Sequence, residues 1–176
     1  MTSVDNWGAA MLNADSEIVP FGNARWVGEM FVRPVHDSKV FTGRVFSADE
    51  FSAWQAQVKA LGDDADTSLR PETLIQVTAP KKIHQEVRCW VVQGRVVTAS
   101  LYRVGGEVRY SDVVEPRLIA FADQLAAIWS PEKAFCLDVC TTPDGLRIVE
   151  INTINSAGFY AADVQKLVMA LDGLRR

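Results

Sequence analysis

Three short turn signals constrain this chain more than any other feature. Gln93-Gly94, Gly105-Gly106 and Pro143-Asp144-Gly145 each follow a run that reads as a β-strand. Connections of two or three residues join only antiparallel neighbours, since parallel strands need a crossover of a dozen or more residues. Glu86 to Gln93 alternates charged and apolar side chains as a half-buried strand does, and Arg95 to Arg103 returns as its partner. Phe135 to Thr141 and Leu146 to Asn152 form a second hairpin around Pro-Asp-Gly. A largely antiparallel sheet follows.

The remaining segments add helices and a smaller strand set. Trp26 to Val32 and Lys39 to Phe46 are rich in β-branched and aromatic residues around a polar Pro34–Ser38 turn, which predicts a hairpin. Ser47-Ala-Asp-Glu50 spells a capping box, with Phe46 and Phe51 spaced as a hydrophobic staple. The helix it opens carries Phe51, Trp54, Val58 and Leu61 on one stripe and ends at Gly62. Asp63 to Pro71 is polar and reads as a link between two lobes, and a short strand spans Thr73 to Thr78. Leu118, Phe121, Ala122, Leu125 and Trp129 line a second helix, and Tyr160 to Leu171 predicts a third with Val164, Leu167 and Val168 inward. The sum is an α+β protein of about seven mostly antiparallel strands and three helices, divided as 1–74 and 75–176.

Composition excludes several classes. A chain of 176 residues that is 48% hydrophobic and 23% charged is an ordinary globular protein. Eighteen basic against twenty-two acidic residues give no global attraction to nucleic acid or to an anionic membrane, so any polyanion must be held locally. No apolar run reaches the roughly 20 residues of a membrane span. Three cysteines without paired spacing make neither a disulfide framework nor a zinc site; they read as small buried hydrophobes, and a reducing cytoplasm fits them. His36 and His84 lack ligand spacing and are not assigned to metal.

Chemistry concentrates in the second hairpin. If Pro143-Asp144-Gly145 is a three-residue loop, Thr142 pairs with Leu146 and counting back sets Asp138 opposite Glu150. Two carboxylates then meet across the ladder, with Asn152 on the same side as Glu150. Like charges directly opposite destabilise a sheet, so a cation between them is expected, and hard oxygen donors suit Mg²⁺. The alternative is a solvated polar face on an edge hairpin.

The surroundings of this hairpin extend the pattern. Asp138 to Asn152, continued by Thr153-Ile-Asn155-Ser-Ala-Gly158-Phe-Tyr160, resembles the metal-binding end of ATP-grasp enzymes. Glu86-Val-Arg88-Cys-Trp90-Val-Val-Gln-Gly94 with Ser100-Leu-Tyr-Arg103 is similar to their central hairpin, especially in branches related to the ribosomal-protein glutamate ligases. The resemblance runs from about Phe31 to Tyr160. It implies an ATP site between two lobes, with Asp138, Glu150 and Asn152 holding Mg²⁺, or Mn²⁺ in its place, against the phosphates. It also implies that Glu86 accepts from the ribose and that the backbone of Ile75-Gln76-Val77 reads the adenine edge.

Cationic donors for phosphate are available at Arg33, Lys39, Arg88 and Arg103. Arg33-Pro34 stands where many relatives of that family have Lys-Pro, which marks a divergent subfamily. Lys39 follows the His36-Asp37-Ser38 loop and reads either as a phosphate donor or as a surface lysine. Arg88 and Arg103 are expected to face each other around an anion as catalytic groups, or else to pair with Glu86 and Asp112. Asn155, Ser156 and Tyr160 are the candidate substrate contacts.

The activity implied by the resemblance is ATP- and Mg²⁺-dependent ligation: a small-molecule or peptide carboxylate becomes an acyl phosphate, which an amine or thiol attacks. A carbon–nitrogen bond is the first expectation. Positioning and charge neutralisation carry such a reaction without a protein nucleophile. The alternative is a catalytically silent nucleotide-binding module acting with a partner chain. Enzymes of this family usually place another α/β domain before the two lobes, whereas almost nothing precedes Trp26. The chain is therefore expected to be a fragment, to be completed by a partner, or to have a reduced substrate site.

Overall fold

Residues 3–35, 40–62 and 68–175 are described by the computed structural model, and they form nine strands in two antiparallel sheets. The first half contains α1 (Ser3–Trp7), β1 (Glu17–Pro20), β2 (Glu29–Pro34), β3 (Arg44–Ser47), α2 (Ala48–Leu61) and β4 (Leu74–Thr78). The second half contains β5 (Gln85–Val92), β6 (Arg95–Val104), β7 (Glu107–Ser111), α3 (Pro116–Ile128), β8 (Ala134–Thr142), β9 (Gly145–Asn152) and α4 (Val164–Asp172). The α+β expectation holds. Contacts divide the chain into Asp15–Pro80 and a larger unit of Met1–Ala14 with Lys81–Arg176.

In the smaller unit the strand order is β1-β4-β2-β3, so β4 is paired on both edges. The division therefore falls after Pro80 and not within β4, where 1–74 and 75–176 would cut it. Leu69 is buried in this unit's core, and the Pro71 carbonyl accepts from the Gly22 amide, so the stretch read as a link between lobes belongs to the smaller unit where it is described. Residues 63–67 of that stretch lie outside the described residues.

The capping box opens α2 as expected. Ser47 Oγ accepts from the Glu50 amide at 3.2 Å, and Glu50 Oε2 accepts from the Ser47 amide at 2.9 Å. Phe46 and Phe51 meet at 5.7 Å, and Gly62 ends the helix at φ +65°. The α2 stripe packs into an aromatic cluster in which Phe51 touches the rings of Phe21, Trp26, Phe46 and Trp54.

The larger sheet has the order β7-β6-β5-β8-β9. Two-residue turns at Gln93-Gly94 and Gly105-Gly106 take positive φ at both positions, the left-handed geometry that matches the strand twist. One face of the sheet carries Val87, Cys89, Val91, Leu137 and Val139 against Leu118, Ala122 and Leu125 of α3 and against Trp7 of α1. On the other face Trp90 and Cys136 pack with Ala157 and with Leu167 of α4. With both faces covered, Glu86 to Val92 are all buried, and the half-buried expectation for this strand is replaced by a fully buried one.

Two further differences concern the C-terminal segment. The helix begins at Val164, capped by Asp163, and not at Tyr160, whose φ of +51° does not belong to a helix. Leu167 faces inward with Ala170 and Leu171, whereas Val164 and Val168 are exposed. Among the described residues, no helix is long and apolar enough to cross a membrane.

Phe51 is 2% exposed at the centre of the aromatic cluster. Phe51→Ala is expected to lose about 3–5 kcal/mol in urea unfolding. Ile18→Ala, at an exposed position of edge strand β1, should stay within about 0.5 kcal/mol of the parent.

Candidate active site

The β8–β9 hairpin closes one residue tighter than counting predicts. Thr142 pairs with Gly145 and Thr141 with Leu146, so the loop is Pro143-Asp144 alone. A β-bulge between Asp138 and Val139 then takes up one extra residue of β9. Val139 pairs with Ile148, and Asp138 meets Glu150 after all. The expected pair is present because an unforeseen bulge offsets the shorter turn.

Arg88 on β5 is the cross-strand partner of Asp138. Ser100, Arg88, Asp138 and Glu150 therefore form a row across four adjacent strands, projecting to one face of the sheet. Arg88 Nε donates to Asp138 Oδ1 at 2.8 Å and Nη2 to Oδ2 at 2.7 Å, a bidentate fork with both side chains buried. The same Nη2 lies 4.0 Å from Glu150 Oε1, which also accepts from Asn152 Nδ2 at 2.9 Å. Asp138, Glu150 and Asn152 are thus gathered at one place, with Arg88 as the cation among them.

The bond to Asp138 raises the Arg88 pKa above its already high value, so the guanidinium stays charged. Burial pushes the Asp138 carboxyl upward, against the downward pull of Arg88.

A second bulge, between Glu86 and Val87, sets both Tyr102 and Arg103 against Glu86. Tyr102 donates its hydroxyl to Glu86 Oε2 at 2.7 Å, and Arg103 Nη1 donates to Oε1 at 3.2 Å. Arg103 therefore pairs with Glu86 and does not face Arg88 around an anion, because Ser100 is the residue opposite Arg88. Glu86 is buried with both oxygens engaged, which removes the free acceptor expected for a ribose.

The backbone of Gln76 and Val77 is likewise not available to read an adenine edge. Gln76 is flanked by Ile18 and Arg33, and Val77 by Glu17 and Val32, on the two sides of β4. Arg33 lies on β2 in the smaller unit, with Nε 3.5 Å from the Pro34 carbonyl. Lys39 lies outside the described residues.

Asn155 and Ser156 occupy a 3-10 turn, Ile154–Ser156, after β9, where the Ser156 hydroxyl bonds to Thr153. Tyr160 reaches the row itself. Its ring stacks on Tyr102 at 5.3 Å and on Tyr110 at 5.0 Å, and it lies 5.2 Å from the Arg88 guanidinium. Tyr102 contacts the same guanidinium at 5.7 Å. Tyr102 and Tyr110 are thus part of the site, although the sequence reading assigned them no role. Their signal was two tyrosines on strands joined by a tight turn, a spacing that also fits ordinary packing.

No cysteine is placed to act as a nucleophile. All three are buried, and burial pushes the Cys136 and Cys140 thiols up to about 12. Among the described residues no group of three or more His, Cys, Asp or Glu side chains converges on a metal position. The oxygen set here is two carboxylates and an amide, which suits a hard cation that keeps water and binds substrate phosphates.

A family model of an ATP-grasp domain, the third family of its clade, matches residues 7–171, and the chain belongs to this ATP-grasp family. The match extends beyond the Phe31–Tyr160 range of the resemblance, because β1 and the segment before it are part of the fold. No curated protein matches the chain in sequence. Among solved structures, the ATP-grasp ligase PsnB complexed with a minimal precursor superposes with a TM-score of 0.63 at 16% identity, over 99% of this chain and 58% of that one. D-alanine–D-alanine ligase from Bacillus anthracis superposes at 0.63 with 10% identity, over 98% and 66%. D-cycloserine synthetase DcsG superposes at 0.57 with 14% identity, over 99% and 68%. These likenesses establish the ATP-grasp ligase fold. The chain spans about three fifths to two thirds of the length of the ligases it matches.

Breaking a buried pair leaves an uncompensated charge. Arg88→Met should therefore cost about 3–5 kcal/mol in denaturant unfolding. Arg103→Met, at a side chain 45% exposed, should cost less than about 1 kcal/mol.

Proposed function

We propose that this chain binds Mg·ATP and activates a carboxylate as an acyl phosphate for attack by an amine or thiol, with a carbon–nitrogen bond as the first expectation. The observation that carries the reading is the meeting of Asp138, Glu150 and Asn152 on adjacent strands beside a buried arginine, in a chain of the ATP-grasp family. Glu150 and Asn152 would hold Mg²⁺ with Asp138, which must share its oxygens with Arg88 or exchange them. Bound Mg²⁺ would neutralise charge on the transferred phosphoryl group.

Arg88 is the cationic side chain of the larger unit nearest this oxygen set, and we assign it to phosphate or acyl phosphate. Arg33 and Lys39 keep the phosphate-donor role that the family pattern implies. Asn155, Ser156 and Tyr160 are assigned to the substrate, a small-molecule or peptide carboxylate or amine. Support for the ligands comes from related structures: the Bacillus anthracis ligase has been solved with ATP, at a TM-score of 0.58, and PsnB with Mg and ADP, at 0.53. PsnB and DcsG also set the range of acceptors to test, a precursor peptide for one and a synthetase reaction for the other.

Mg·ATP at a hundredfold excess over its Kd should stabilise the protein by about 2.7 kcal/mol in thermal unfolding, and chelation of Mg²⁺ should remove most of that gain. Asp138→Asn and Glu150→Gln should abolish ADP release in a panel of carboxylates and amines. Binding of Mg·ATP without ADP release for any pair would favour the silent nucleotide-binding module. Absence of binding would refute both.

A further inference from the structure

Asp138 is the member of the oxygen set that a cation reaches last. Its side chain is 1% exposed, and each carboxylate oxygen accepts from Arg88. Arg88 Nη2 also stands 4.0 Å from Glu150 Oε1, so one guanidinium is the present counter-ion of both carboxylates. A dication drawn to this pair must displace it.

Tyr160 lies over that guanidinium in a way ordinary packing does not require. It belongs to none of the three apolar clusters, yet it holds φ +51°, a region sparsely populated by residues with side chains. The flanking backbone is tied to β6: the Ala161 amide donates to Ser100 Oγ at 3.1 Å, and the Asp163 amide donates to Thr98 Oγ1 at 2.9 Å. Strained residues persist where the surrounding structure over-determines them. Here the result is a ring 5.2 Å from Arg88 and stacked between Tyr102 and Tyr110.

We infer that Tyr160 is a positioning residue that clamps Arg88 onto Asp138, so that Arg88 and a divalent cation compete for one carboxylate. The inference deepens the Mg·ATP reading and rests on it for the identity of the anion that would receive Arg88. A cation alone binds weakly because the clamp is closed. An anionic group that takes the guanidinium frees Asp138 for the metal.

The decisive measurement uses Mn²⁺ without nucleotide, titrated into the full chain and followed by the electron paramagnetic resonance signal of free Mn²⁺. Tyr160→Asn tolerates the left-handed backbone but removes the ring, and Arg88→Lys replaces the fork with a point donor. Both should bind Mn²⁺ about tenfold more tightly than the parent, the scale of a cation–π contact shielded from water. Tyr160→Phe keeps the ring and should behave as the parent, and Glu150→Gln should weaken binding in every background. Should Arg88→Lys or Tyr160→Asn unfold, the other still decides. Equal Mn²⁺ affinity in parent and loosened variants, a Tyr160→Phe result matching Tyr160→Asn, or no Mn²⁺ binding by any variant would each overturn the clamp. Failure of the Mg·ATP reading is seen separately, as absence of stabilisation of the parent by a nonhydrolysable ATP analogue with Mg²⁺.

Discussion

The buried pair between Arg88 and Asp138 sets the terms for one whole face of the larger sheet. Two charges removed from water destabilise a fold unless geometry and additional hydrogen bonds compensate. Compensation here comes from a two-bond fork at 2.7 and 2.8 Å, Glu150 within 4.0 Å, and two tyrosine rings around the guanidinium. Each partner sits on a different strand, so the pair also fixes how β5, β8 and β9 align.

Bulges decide which polar groups belong to this face. The irregularity at Glu86 delivers Tyr102 and Arg103 to one carboxylate, and the irregularity at Asp138 brings Glu150 back opposite its partner. Each inserts one residue, re-aiming every side chain beyond it, which is why such features cluster near functional sites. The consequence is a division of labour. Glu86 and Arg103 neutralise one another beside Tyr102, while Asp138, Glu150 and Asn152 remain together with one arginine.

The smaller unit solves a different problem. Its four strands are too few to form a core alone, and the aromatic cluster around Phe51 and Trp54 supplies the apolar mass. The central place of β4 between β1 and β2 follows from that economy, and it draws the backbone of Gln76 and Val77 into the sheet.

Local signals were legible in the sequence wherever chemistry acts over a few residues. The capping box at Ser47, the turns at Gln93-Gly94 and Gly105-Gly106, the meeting of Asp138 with Glu150, and the family pattern from Arg88 to Asn152 could be read from spacing and residue type. Tertiary structure alone decided who neutralises whom. Arg88 could have faced Arg103, Glu86 or Asp138, and a bulge of one residue chose among them. It also decided that Tyr160 leaves the helix to cover Arg88, because that backbone angle depends on bonds to Ser100 and Thr98, about 60 residues earlier in the chain. Spacing specifies neighbours along a strand, whereas partners across strands depend on irregularities that leave no mark in residue periodicity.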